Sequence, residues 1–207
     1  MIESYKKSSD MKNLVILAAA IIVLSVACKK EENNQTIESK IFEINSTNSQ
    51  IWKYFSFSED DTISIADPSA STEWDLAFQR YRIKTNGGDS GSGLGSAANT
   101  LQKGQTGFDA IKLVPDTLIY SEDDSITIAV QQGYATYIVN PELYTWFTME
   151  QATQGTQIVP SDFIYIVRTG KGKYAKVWFK SYYSATDVSG YITFQYKYQP
   201  DGSTNLE

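Results

Sequence analysis

The stretch Tyr191-Ile192-Thr193-Phe194-Gln195-Tyr196-Lys197-Tyr198 alternates without a break. Ile192, Phe194, Tyr196 and Tyr198 fall on one side of an extended chain, and Tyr191, Thr193, Gln195 and Lys197 on the other. A period of two is that of a β-strand, and one apolar-aromatic face opposite a polar one marks the half-buried strand of an antiparallel sheet. Outward from it, runs rich in β-branched and aromatic residues recur, separated by clusters of Gly, Asp, Asn and Ser that make turns. They lie at residues 41–44, 51–57, 62–66, 74–85, 117–120, 125–131, 135–139, 144–148, 163–168, 174–183 and 191–198. Arg168-Thr169-Gly170-Lys171-Gly172-Lys173 reads as the turn of a hairpin between two of them. After residue 28 no stretch sustains helical periodicity, although residues 101–111 have room for a short helical turn. The expected fold is all-β, with antiparallel strands in a single domain over residues 39–207.

Composition narrows the function. The chain has no His and one Cys, so Ser-His-Asp and Cys-His nucleophiles, imidazole or multi-thiolate zinc sites and internal disulfides are all excluded. Eighteen basic against 24 acidic residues, net −6, with no long basic run, argue against nucleic acid as a partner. Binding modules, structural proteins and carboxylate enzymes remain.

Residues 14–27, LVILAAAIIVLSVA, are unbroken apolar and small residues preceded by Met11-Lys12-Asn13 and followed by Cys28. The run is long enough for a signal-peptide core and short of the roughly 20 residues needed to span a bilayer. Translation is expected to start at Met11, with residues 1–27 as signal peptide. Leu24-Ser25-Val26-Ala27-Cys28 resembles a bacterial lipobox, with its Leu four residues before the Cys. Acylation at Cys28 would anchor the protein to the membrane without a spanning helix. Residues 28–38 then read as a lipidated flexible tether, and Lys30-Glu31-Glu32 resembles the surface-export signal of Bacteroidota lipoproteins. The expected place is the outer membrane, facing outward.

Two acidic clusters, Glu59-Asp60-Asp61 and Glu122-Asp123-Asp124, lack the alternation and Gly of a calcium loop and read as solvated turns. Residues 86–98, Asn86-Gly87-Gly88-Asp89-Ser90-Gly91-Ser92-Gly93-Leu94-Gly95-Ser96-Ala97-Ala98, are not a dinucleotide fingerprint. They read either as a solvated linker or as an ordered loop whose glycines permit positive φ or close backbone approach. Glu73 and Asp75, at i and i+2, are the nearest thing to a catalytic acid pair of the glycosidase type.

Two blocks carry a family resemblance: Ile51-Trp52-Lys53-Tyr54-Phe55-Ser56-Phe57, and Glu73-Trp74-Asp75-Leu76-Ala77-Phe78-Gln79-Arg80 running on to the Thr85-Asn86-Gly87-Gly88 loop. They resemble the HmuY-like heme-binding lipoproteins of Bacteroidota, and residues 163–168, 174–183 and 190–198 look like that family's last three strands. The resemblance implies an all-β domain clasping one heme between its strands, and transfer of that heme to a TonB-dependent outer-membrane receptor. It implies a binding protein rather than an enzyme. One family axial ligand follows a strand just before the loop leading to residues 163–168. Trp146-Phe147-Thr148-Met149 stands there, making Met149 the candidate; a thioether is a competent iron ligand. The family's other ligand lies near an earlier hairpin, which here is Val130-Gln131-Gln132-Gly133-Tyr134, without His or Met. Tyr134 and Tyr137 are the oxygen-ligand candidates there, and Tyr144, Trp146 and Phe147 the apolar pocket candidates. Trp74, Asp75 and Arg80 read as architecture: a buried Trp with a charged pair across a strand end. A member without His could instead have lost iron ligation and bind a free porphyrin, a glycan or a protein.

Overall fold

The computed structural model describes residues 36–207 apart from Gln131 and Gln154. The expected signal segment, Cys28 and the first part of the tether lie outside the described residues. Thr36–Glu207 forms one compact unit.

The alternating stretch is the heart of a long strand, Ser189–Gln199 (β13). Ile192, Phe194 and Tyr196 are all within 1% of full burial, as the pattern requires. Tyr174–Tyr183 (β12) pairs with it on one side and Lys40–Asn45 (β1) on the other. Phe163–Arg168 (β11) and Ser96–Lys103 (β6) complete an antiparallel five-stranded sheet of order β1-β13-β12-β11-β6. A four-stranded sheet packs across its face, in the order Asp61–Ile63 (β3), Lys53–Ser56 (β2), Leu76–Gln79 (β4) and Arg82–Thr85 (β5). Aromatic rings fill the space between the sheets: Phe55 lies 5.2 Å from Phe194 in a T-shaped contact, and Phe78 stacks on Phe194 at 5.5 Å. Offset and edge contacts of this kind add to the burial that drives the packing.

Over β11 and β12 the second face of the large sheet is not left wet. Helix α1, Gly104–Ala110, and the carboxy-terminal residues cover it with Phe108, Ile111, Val114 and Leu206 against Ile164 and Ile166. Lys176 of β12 is consequently 2% exposed. Its ammonium caps the end of α1 by donating to the carbonyls of Phe108 (2.7 Å) and Ile111 (2.6 Å).

Several expectations are corrected. Residues 74–85 are not one strand: Arg80, with φ of 55°, turns the chain between β4 and β5. Residues 117–120 form no strand, because Leu118 N–H turns back to the carbonyl of Pro115. Residues 144–148 begin as a 3-10 turn, Leu143–Thr145, held by Asn140, whose side-chain oxygen accepts from Leu143 N–H at 3.1 Å. Of the two readings of the Gly-dense segment, the ordered loop with close backbone approach holds. A Cβ on Gly95 would lie 2.5 Å from the Asn86 backbone, and one on Gly93 2.8 Å from Gly170 Cα. The buried Asn86 amide fixes the loop by donating to the carbonyls of Ser71 (2.8 Å) and Trp74 (2.9 Å).

Candidate functional site

Two hairpins stand apart from both sheets. Asp124–Val130 (β7) pairs with Gly133–Val139 (β8), and Phe147–Ala152 (β9) with Gly155–Pro160 (β10), each as a two-stranded sheet. Direct cross-strand partners share a face. In the first hairpin Ile126 lies opposite Tyr137 and Ile128 opposite Ala135. All four are half-buried, whereas Tyr134, Thr136, Ile138 and Thr127 on the other face are exposed. The apolar face continues at the hairpin's base into Val139, which is fully buried. Over the ring of Tyr137 sits the guanidinium of Arg82 from β5, 4.2 Å from its centroid.

In the second hairpin Phe147, Met149 and Gln151 share a face by alternation, and Met149 lies opposite Ile158. Phe147 turns into an aromatic group at the base, 5.1 Å from Tyr81, 5.5 Å from Tyr144 and 5.4 Å from Trp146. Met149, two residues nearer the tip, remains 53% exposed.

Tyr144 lies at the base of the second hairpin. Its ring contacts Phe147, while its hydroxyl lies in the field of Tyr81, Tyr137 and Arg82. Burial, then the two tyrosines, push that hydroxyl up to about 12 against the opposing pull of Arg82. It is a neutral donor at any physiological pH. Tyr81, Arg82 and Tyr144 thus form a floor, flanked by Ile126, Ile128 and Tyr137 on one hairpin and by Phe147 and Met149 on the other. Flat rings, one soft thioether and one guanidinium suit a planar, largely apolar ligand with an acidic edge.

The structure separates some of the expected site residues. Tyr134 and Tyr137 are three positions apart on one strand and so face opposite ways; Tyr134 is 80% exposed on the outer face. Trp146 is 1% exposed within the main core, and its indole N–H donates to the carbonyl of Tyr81 at 2.9 Å. It supports the floor from below. Tyr144, Phe147 and Met149 are brought together. Tyr81 and Arg82 were not singled out by sequence, although the alternation of β5 with buried Ile83 puts Arg82 off the core face.

Trp74 is architectural, 1% exposed, with its indole N–H donating to the carbonyl of Pro68. The expected charged pair is not formed. Asp75 accepts from the backbone N–H groups of Phe57 (2.8 Å) and Gly170 (3.3 Å), and Arg80 donates to Ser189 and to the carbonyl of Thr47. Nor do Glu73 and Asp75 share a strand face, because β4 begins only at Leu76. Asp75 is buried, and Glu73 pairs with Lys171 at 2.6 Å on the surface. Asp123 is no solvated turn residue: it is 3% exposed and accepts from Thr85. Among the described residues no group of three or more His, Cys, Asp or Glu side chains could hold a metal ion.

The fold has counterparts among known proteins. A candidate HmuY-like heme-binding protein of Bacteroides vulgatus has 24% identity, with 76% of this chain and 90% of that chain covered and a TM-score of 0.58. A candidate lipoprotein of Bacteroides fragilis has 22% identity over 81% of this chain and 95% of that one, at 0.59. The apo form of an HmuY analog of Tannerella forsythia has 22% identity over 81% of this chain and 100% of that one, at 0.60. These likenesses carry the fold. No curated protein matches. The family model described as HmuY protein matches residues 48–196, and the chain belongs to the HmuY family.

Proposed function

We propose that this protein captures heme in the cleft between the β7–β8 and β9–β10 hairpins. It does so at the bacterial surface, held to the outer membrane by a lipid on Cys28, and passes the heme to a TonB-dependent receptor. The observation that carries the binding site is the aromatic group at the base of the hairpins, where Tyr81 and Tyr144 meet Phe147 of the second hairpin while Arg82, next to Tyr81, lies over Tyr137 of the first. The heme-binding description of the Bacteroides vulgatus protein supports the choice of ligand. The macrocycle would stack among Tyr137, Phe147 and the aliphatic Ile126 and Ile128. Met149, the sole Met after residue 28, offers sulfur to the iron. No carboxylate, His or metal cluster is needed for this, and no catalytic step is assigned.

A second reading is favoured by one fact: the chain has no His. If ring stacking holds the ligand and iron ligation contributes little, metal-free protoporphyrin binds as tightly as hemin.

The test is a titration of hemin into the 36–207 unit, followed at the Soret band. One saturable site per chain is expected, with a further band shift in Met149→Ala. An unchanged hemin spectrum on adding protein refutes heme capture. An unchanged spectrum in Met149→Ala removes the sulfur ligand and leaves the second reading.

A further inference from the structure

Among the strand cations that border the cleft, one is unspent. Lys84 shares a face of β5 with Arg82, but its ammonium lies 4.5 Å over the ring of Trp52 and in the field of Asp123. Arg80 donates to the Thr47 and Ser189 carbonyls and to the Ser189 hydroxyl. Arg82 has the Tyr137 ring against its guanidinium, but among the described residues no hydrogen-bond acceptor and no carboxylate partner. Its Nε is closed off from solvent and unbonded, and among the described residues the ion pairs are Lys40–Asp60, Lys112–Glu207 and Lys171–Glu73. Leaving a buried donor unmet is costly, and more so when the donor is charged.

The geometry points to Arg82 as a carboxylate-recognition site, the group that reads the acid arms of a flat ligand lying in the cleft. The assignment rests on the cleft reading above and adds the chemistry of the ligand's edge. With the Tyr137 ring 4.2 Å from the guanidinium carbon, the terminal nitrogens are left for an anion, and a planar fork matches a carboxylate in bidentate fashion. The ring contact with Tyr137 restrains the side chain, so less freedom is lost when the anion arrives. Heme carries two propionate carboxylates on one edge of its ring. That edge is therefore placed toward the base of the hairpins, at Arg82, and the opposite edge toward the tips.

The probes are hemin and hemin dimethyl ester, in which both carboxylates are capped while ring and iron are unchanged. Their dissociation constants are measured for the unmodified 36–207 unit and for Arg82→Ala and Arg82→Lys. A charge-assisted pair of this kind corresponds to roughly a tenfold to hundredfold change in affinity. The unmodified protein is expected to bind hemin tighter than the ester by about that factor. Arg82→Ala should abolish the preference by weakening hemin alone, and Arg82→Lys should restore part of it. Equal affinity for the two ligands in the unmodified protein overturns the assignment by itself, whatever the variants do. A loss in Arg82→Ala that falls equally on both ligands also overturns it. Failure of both ligands to bind overturns the cleft reading and the carboxylate site together.

Discussion

Replacing Asp123 with Asn should change how stability depends on pH. The carboxylate is 3% exposed and accepts from Thr85 three ways: N–H to Oδ1 at 2.9 Å, N–H to Oδ2 at 3.1 Å, and hydroxyl to Oδ1 at 2.6 Å. Burial outweighs these bonds and raises the group from its ordinary 3.8 to about 6. A carboxyl whose folded value lies above its unfolded one is favoured in the protonated form, so its contribution is full below about pH 4 and is lost as the pH rises through 6. A shift of about two units at 1.36 kcal/mol each gives a loss of roughly 3 kcal/mol between pH 4 and 7. Asn can keep the Oδ1 contacts and cannot ionise. Urea denaturation of the 36–207 unit and of Asp123→Asn at half-unit intervals should show the parent losing stability relative to the variant across that window. Any fixed cost of the amide appears as a constant offset. Parallel curves from pH 4 to 7 would mean that Asp123 ionises without cost and would refute the burial argument.

Three further outcomes follow from the packing. Trp146→Ala empties a filled core position and strands the Tyr81 carbonyl, so calorimetry should register a loss of about 3–5 kcal/mol; a loss below 1 kcal/mol would move Trp146 out of the core. Met149→Ala, at a half-exposed site, should leave stability within about 0.5 kcal/mol while altering the hemin spectrum. Gly95→Ala drives a methyl to 2.5 Å from the Asn86 backbone and should lower the melting temperature by several degrees at least, whereas Gly104→Ala meets no atom within 4 Å and costs only its positive φ.

Sequence periodicity located the strands wherever the side chains themselves decide the structure. Phe163–Arg168 and Tyr174–Tyr183 begin and end where their apolar runs do. It missed Ser96–Lys103 because Ser96-Ala97-Ala98-Asn99 has no strand character of its own; pairing with β11 buries both alanines fully. The polar face of Tyr191–Tyr198 was legible, but not that the same side of the sheet is covered over β11 and β12, because α1 and the chain end arrive from elsewhere in sequence. At the site, spacing alone could have shown that Tyr134 and Tyr137 diverge, since three steps along a strand reverse the face. Asp123 could not be found that way, because its partner Thr85 is 38 residues distant. Arg82 reads in sequence as an ordinary solvent-facing cation. Only the folded arrangement shows that, among the described residues, no acid pairs with it.

The most direct test of the cleft is paramagnetic. Ferric heme broadens nearby resonances steeply with distance, so side-chain spectra of the 36–207 unit with and without one equivalent of hemin locate the iron. The account predicts loss of the Met149 methyl signal and broadening at Tyr137, Tyr144 and Phe147, with Ile166 and Leu206 in the second core unchanged. Sharp Met149 and Tyr144 signals in a protein saturated with hemin would contradict it.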